Sequence, residues 1–181
     1  LMIMTVSALV SAMVDDAATA AMMMPIAMSV AKFASDSYAR TSRTTGGAPR
    51  LLEASALAVL YGSAAGGMAT PAGVPFNPLS ISLLDQLTGY KINFAQWTLT
   101  GVILAAATIP FYYLTLLLMS SPEVKSIADG AKYFKEEQKT LGPMTQGEKN
   151  VLFVLIVMIV LWFLPAVVAI KADQVEHLAD A

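Results

Sequence analysis

Cysteine is absent from the 181 residues, and histidine occurs once, as His177. The first absence excludes disulfides and thiolate metal sites, and the second excludes multi-histidine metal centres. Charge is scarce as well: Asp, Glu, Lys and Arg make up 13% of the chain, roughly half the usual share. A water-facing surface needs more, so neither an ordinary soluble globule nor a disordered chain fits. The net charge of −2 leaves no basic footprint for nucleic acid. A P-loop lysine, a Ser/His/Asp set and a dinucleotide fingerprint are also missing, which argues against an enzyme. What abounds is apolar, 56% of residues with 11 methionines, and this points to lipid. Leu1 stands inside an apolar run with no basic region before it. The run therefore reads as the interior of a longer chain rather than as a signal peptide.

Three stretches carry no charge at all: Ala54–Leu84, Thr98–Ser121 and Val151–Ile170. Each is long enough to cross a hydrocarbon core, which takes about 20 helical residues. The last two read as plain membrane helices, with Trp97 at the mouth of one and Pro110 and Pro165 inside them. The segments between them differ in basic content. Residues 32–50 hold Lys32, Arg40, Arg43 and Arg50, and residues 120–150 hold Lys125, Lys132, Lys135, Lys139 and Lys149. Residues 85–96 hold only Lys91, and the tail only Lys171. The positive-inside rule places the two basic segments in the cytoplasm and the other two outside. Within 120–150, Ser121-Pro122-Glu123 reads as a helix start, and Val124, Ile127, Ala131 and Phe134 recur at helical spacing. This predicts an amphipathic helix on the inner membrane surface or a solvated linker helix, ended by Gly142-Pro143.

Two hydrophobic regions are interrupted. Residues 1–34 are apolar except for Asp15-Asp16. One Asp at the bilayer centre costs about 2.5–3.5 kcal/mol on insertion scales. A re-entrant hairpin with a polar tip accounts for the pair better than a plain span does, because irregular backbone at that depth survives only in protein or beside a water-filled cavity. The second interruption is Gly66–Pro78, in which three glycines and three prolines exclude a continuous helix. Apolar runs on both sides make it one span broken at mid-depth. Unwound carbonyls there suit a cation and helix N-termini suit an anion, the pattern of a secondary-transporter site.

At these residues the chain resembles the divalent anion/sodium symporter family, carriers of dicarboxylates, citrate or sulfate. Ala18-Thr19-Ala20-Ala21-Met22-Met23-Met24-Pro25-Ile26-Ala27 is similar to the family's hairpin arm, and Ala65–Asn77 to its broken helix. The resemblance covers nearly the whole chain and only the first of the family's two inverted repeats. It implies an all-α polytopic membrane protein of the plasma (inner) membrane. The expected parts are a re-entrant hairpin over 1–34, a broken helix over 51–90, membrane helices over 98–119 and 151–170, and the linker over 120–150. It further implies a second inverted repeat of the same parent chain as partner, a homodimer at full length, a small anionic substrate, and Na⁺ or H⁺ as coupling ion with no cofactor.

The family's hairpin tip reads Ser-Asn-Thr where this chain has Asp15-Asp16-Ala17. Carried over position by position, Ser11, Asp15, Asp16 and the backbone of Gly73 are the expected cation ligands. Asp16, Ala17, Thr70, Pro71, Val74 and Asn77 are the expected substrate wall. Ala17 cannot give the hydroxyl contact, Val74 replaces the usual Thr or Ser, and Phe76 replaces a proline. A carboxylate binds a hard cation at least as well as an amide, but it repels a dianion unless a cation or proton neutralises it. Two adjacent carboxylates in oil also repel each other, so one is expected to hold a proton in the empty site. Competing readings are an Asp pair that merely caps the second hairpin helix, a cation/proton antiporter-like protein carrying no organic anion, and a non-transporting half-length membrane subunit. Met22–Met24, Tyr112 and Tyr113 read as packing, Glu53 as an interfacial ion and His177 as solvated.

Overall fold

The computed structural model describes residues 1–42, 49–120 and 143–179. Among them are six helices and no strand: α1 (Met2–Ser11), α2 (Asp16–Ser42), α3 (Pro49–Gly67), α4 (Phe76–Thr88), α5 (Phe94–Met119) and α6 (Gln146–Ala179). The described residues are all-α, as the resemblance implies. Three helical stretches have the length and apolar character to cross a membrane: Asp16–Ala39, Phe94–Met119 and Gln146–Pro165. Most of the linker expected over 120–150 falls on residues 121–142, outside the described residues, and Arg43 lies outside them too.

The two interruptions lie where the sequence puts them. α1 ends at Ser11, and residues 12–15 turn the chain into α2. α3 stops at Gly67, and α4 starts at Phe76 behind Pro75, which stands at its N-cap with φ −61°. Pro71 cannot continue α3 because it lacks an N–H and pushes Thr70 away from helical geometry. Pro78 falls in the first turn of α4, where its missing donor costs nothing.

Helix lengths depart from expectation in instructive ways. The second hairpin arm does not stop near Phe33 but runs on to Ser42 through the polar stretch beyond Lys32. α5 starts at Phe94 rather than Thr98 because Asn93 and Gln96 form a reciprocal capping box, with the Asn93 side chain 2.8 Å from the Gln96 N–H. α6 starts at Gln146 by the same device: the Thr145 N–H meets Glu148 Oε2 at 2.6 Å, and the Glu148 N–H meets Thr145 Oγ1 at 3.3 Å.

The core is the seam between α1 and α3. A Cβ on Gly62 would overlap the Met4 carbonyl, and one on Gly66 the Ala8 carbonyl. Contacts that advance by four residues on both helices mean that α1 and α3 run parallel. The Gly62–Gly66 spacing is the small-residue motif by which membrane helices bring their backbones together. Met4, Ala8, Ala58, Val59 and Ala65 are buried around it. α5 packs on α3 through Tyr61 and Tyr112, stacked at 5.0 Å, and α6 leans on α5 through Phe94 against Trp162 at 4.9 Å and Phe163 at 5.3 Å. Elsewhere α5 and α6 expose Leu, Val, Ile and Phe side chains, as lipid-facing helices do.

Candidate functional site

The hairpin tip and the helix break meet. The Asp16 N–H donates to the Gly73 carbonyl at 3.0 Å, and Thr70 Oγ1 donates to the Ala12 carbonyl at 2.6 Å. Just below, Ser11 Oγ donates to the Ser63 carbonyl at 2.7 Å. Each bond satisfies a carbonyl or N–H that a helix end leaves open, or adds a second donor to the last turn of α3. A Cβ on Gly73 would collide with the backbone of Gly67, so only glycine lets the loop lie this close to the end of α3. A Cβ on Gly67 would in turn sit 3.3 Å from the Asp16 Cβ. Of the expected cation ligands, then, the Asp16 backbone touches Gly73, with Asp15 beside it in sequence. Ser11 stands fully buried at the end of α1 with its hydroxyl committed to α3.

Asp15 is the cap of α2. Its Oδ1 accepts from the N–H groups of Ala17 at 3.1 Å and Ala18 at 3.2 Å, and its carbonyl accepts from the Thr19 N–H at 2.9 Å. The capping role weighed for the pair therefore holds for Asp15 and uses one of its two oxygens. Asp16 is the first residue of α2, where an acid faces the positive end of the helix. Both side chains are half-buried.

The expected substrate wall divides. Ala17 is exposed at the tip, and Pro71 and Val74 are half-buried on the loop. Thr70 and Asn77 are buried, at 4% and 8% exposure, and their donors point into the protein. Thr70 Oγ1 donates to Ala12 and also accepts from the Ala72 N–H at 3.2 Å. The Asn77 amide donates to the carbonyls of Gly67 at 2.8 Å and Thr70 at 2.7 Å, and the Thr70 carbonyl also takes the Gly73 N–H at 3.2 Å. Asn77 also lines a cavity of about 680 Å³, together with Met68, Gln96, Trp97, Thr100 and Gly101 among others. The Gly62–Gly66 pair that sets the site's floor was missed by the charge-and-interruption reading, although its spacing stands in the sequence.

Four helix ends converge here. The C-termini of α1 and α3 bring partial negative charge, each worth roughly half an electron, and the N-termini of α2 and α4 bring partial positive charge. Among the described residues no group of three or more His, Cys, Asp or Glu comes together. Oxygen donors of the kinds present at the tip, carbonyl, hydroxyl and carboxylate, suit a hard cation.

Residues 1–179 match the family described as the sodium:sulfate symporter transmembrane region. The sodium-dependent dicarboxylate transporter SdcS of Staphylococcus aureus (strain USA300) is 27% identical over 182 residues, covering 98% of this chain and 34% of SdcS. YflS of Bacillus subtilis (strain 168), provisionally named a malate transporter, is 26% identical over 86 residues, covering 48% of this chain and 18% of YflS. The chain spans about a third of the length of SdcS.

Proposed function

The chain belongs to the sodium:sulfate symporter transmembrane family, and from that footing we propose that it builds the ion-coupling side of a secondary carrier for divalent anions such as dicarboxylates. The protein is an integral, multi-pass transporter rather than an enzyme. The observation that carries the reading is the Asp16–Gly73 bond. It brings two carboxylates, two helix C-termini and two helix N-termini to one point within the hydrophobic part of the chain. Such a point can neutralise a cation and, once neutralised, face an anion. In this reading Na⁺ sits among Asp15, Asp16, Ser11 and the Gly73 carbonyl, and the loop from Thr70 to Asn77 forms one wall of the anion site. The plasma membrane is the expected home, with a second inverted repeat and a second protomer as partners. SdcS is named for sodium-dependent dicarboxylate transport, which supports the substrate class.

The full-length protein carrying this chain, reconstituted in vesicles, is expected to take up a labelled four-carbon dicarboxylate or sulfate when an inward sodium gradient is imposed. No uptake of either anion, with sodium efflux driven by a pH gradient alone, would replace this reading with cation/proton exchange. The Asp pair makes the proton a competing coupling ion. If transport varies with pH in the parent and loses that variation in Asp15→Asn or Asp16→Asn, the proton is the ion; an unchanged profile in both variants leaves sodium.

A further inference from the structure

The Asn77 side chain, expected on the substrate wall, is turned into the protein. It is buried, and both of its described hydrogen bonds run to backbone carbonyls: Gly67, the last residue of α3, and Thr70, inside the break. These two carbonyls belong to the two ends of a four-residue turn. The Thr70 carbonyl is shared with the Gly73 N–H, and the Gly73 carbonyl in turn meets the Asp16 N–H. A chain of bonds therefore runs from the Asn77 amide through Thr70 and Gly73 to the hairpin tip. Thr70 extends it sideways, through its hydroxyl to Ala12.

We infer that Asn77 is a positioning residue for the cation half of the site: its amide clamps the Gly67 and Thr70 carbonyls, and so aims the Gly73 carbonyl at the hairpin tip. Its amide donors are committed to these two carbonyls rather than to the transported anion. The clamp is bidentate and planar, so it fixes the angle of the turn as well as its distance from α3. No described side chain replaces it. Loss of the amide leaves the buried Gly67 carbonyl without a described donor and the Thr70 carbonyl with the Gly73 N–H alone, which is costlier than losing an exposed hydrogen bond. Asn77 also lines the cavity bounded by Met68 and Trp97.

The inference rests on the proposed sodium-coupled reading for its transport readout, and on a second readout for its geometry. In the full-length protein, Asn77→Ala is expected to raise the half-saturating sodium concentration roughly ten- to thirty-fold, the effect of two lost hydrogen bonds. The substrate KM at saturating sodium is expected to stay within about two-fold of the parent. Asn77→Ser, which keeps one donor, is expected to fall between. Asn77→Asp, the same shape with no donor, should be at least as severe as Asn77→Ala. A raised substrate KM at saturating sodium, with unchanged sodium dependence, would overturn the inference. The second readout needs no transport. A cysteine introduced by Ala72→Cys on the half-buried loop is expected to react several-fold faster with a small maleimide when Asn77→Ala is added, without substrate present. Equal rates would overturn the clamp, even if the parent proves not to be sodium-coupled and the reading of function fails separately. Asn77→Ser carries both comparisons if Asn77→Ala does not reach the membrane.

Discussion

Asp15 has one task in the structure and a second in the proposed function, and a substitution can separate them. As the cap of α2 it offers Oδ1 to two backbone N–H groups, and Asn does that as well as Asp does. As a carboxylate it supplies charge to the cation in the proposed function, and Asn does not. Asp15→Asn is therefore expected to melt close to the parent protein in detergent while weakening sodium-dependent stabilisation. Asp15→Ala is expected to lose both, with about 1 kcal/mol of stability gone for the cap. If the Asn variant is as destabilised as the Ala variant, the cap is not what holds the turn. Asp16 differs because its described bond is made by its backbone. Asp16→Asn should leave the tip's fold intact and report on charge alone. The positions of these residues were legible in the sequence, since two adjacent acids in an apolar run need a reason to be there. The direction in which Thr70 and Asn77 point was not. Their motif places them on the loop, and only the packed backbone decides whether a donor on a loop faces a solute or a neighbouring carbonyl.

The α1–α3 pair sets the geometry on which the tip depends. Gly62 and Gly66 let two parallel backbones touch, and a side chain at either position has to push α1 away from α3. Overpacking of this kind costs about 1–3 kcal/mol. Gly66→Leu is expected to fall at the upper end of that range and to separate Ser11 from Ser63, because the displaced seam carries that hydrogen bond. Gly147→Ala is the control: its added Cβ meets nothing closer than Thr145 Oγ1 at 4.0 Å, and helix propensity favours Ala. Thermal melting of purified protein distinguishes the two, and equal melting temperatures for both variants would mean that the seam is not tight. At this scale the sequence told where helices end better than where they begin or how they pack. Proline, glycine and paired acids break helices by local chemistry, so the tip and the break could be read directly. The capping boxes at Asn93–Gln96 and Thr145–Glu148 are equally local, but hydropathy does not register them, and the spans predicted from it started late. The length of α2 escaped for the opposite reason, since a helix may continue into water once its apolar part has ended.

For the molecule as a whole, parallel packing of α1 on α3 constrains topology independently of charge counting. α3 carries Arg50 near its start, α1 runs in the same direction as α3, and α2 returns the opposite way with Lys32 exposed. Along α2 from Asp16 to Lys32 the rise is about 24 Å, and along α3 from Arg50 to Gly67 about 26 Å. Tip and break thus lie at similar distances from one basic rim, nearer the far face of a core of about 30 Å than to that rim. α4 then carries the chain onward to the loop around Lys91, and α5 brings it back. The positive-inside rule puts the rim holding Lys32 and Arg50 in the cytoplasm. A test on intact cells follows, with single cysteines in the full-length protein. Lys91→Cys is expected to react with a charged, impermeant thiol reagent added outside. Lys32→Cys is expected to react only once the cytoplasmic face is opened. Ala17→Cys, exposed at the tip of the hairpin, is expected to react more slowly than either, and more slowly still in saturating sodium and substrate. If Lys32→Cys and Lys91→Cys react from the same side, α3 and α4 do not cross the membrane as one broken span. The tip and the break would then have no common depth at which to hold an ion, whatever hydrogen bonds join them.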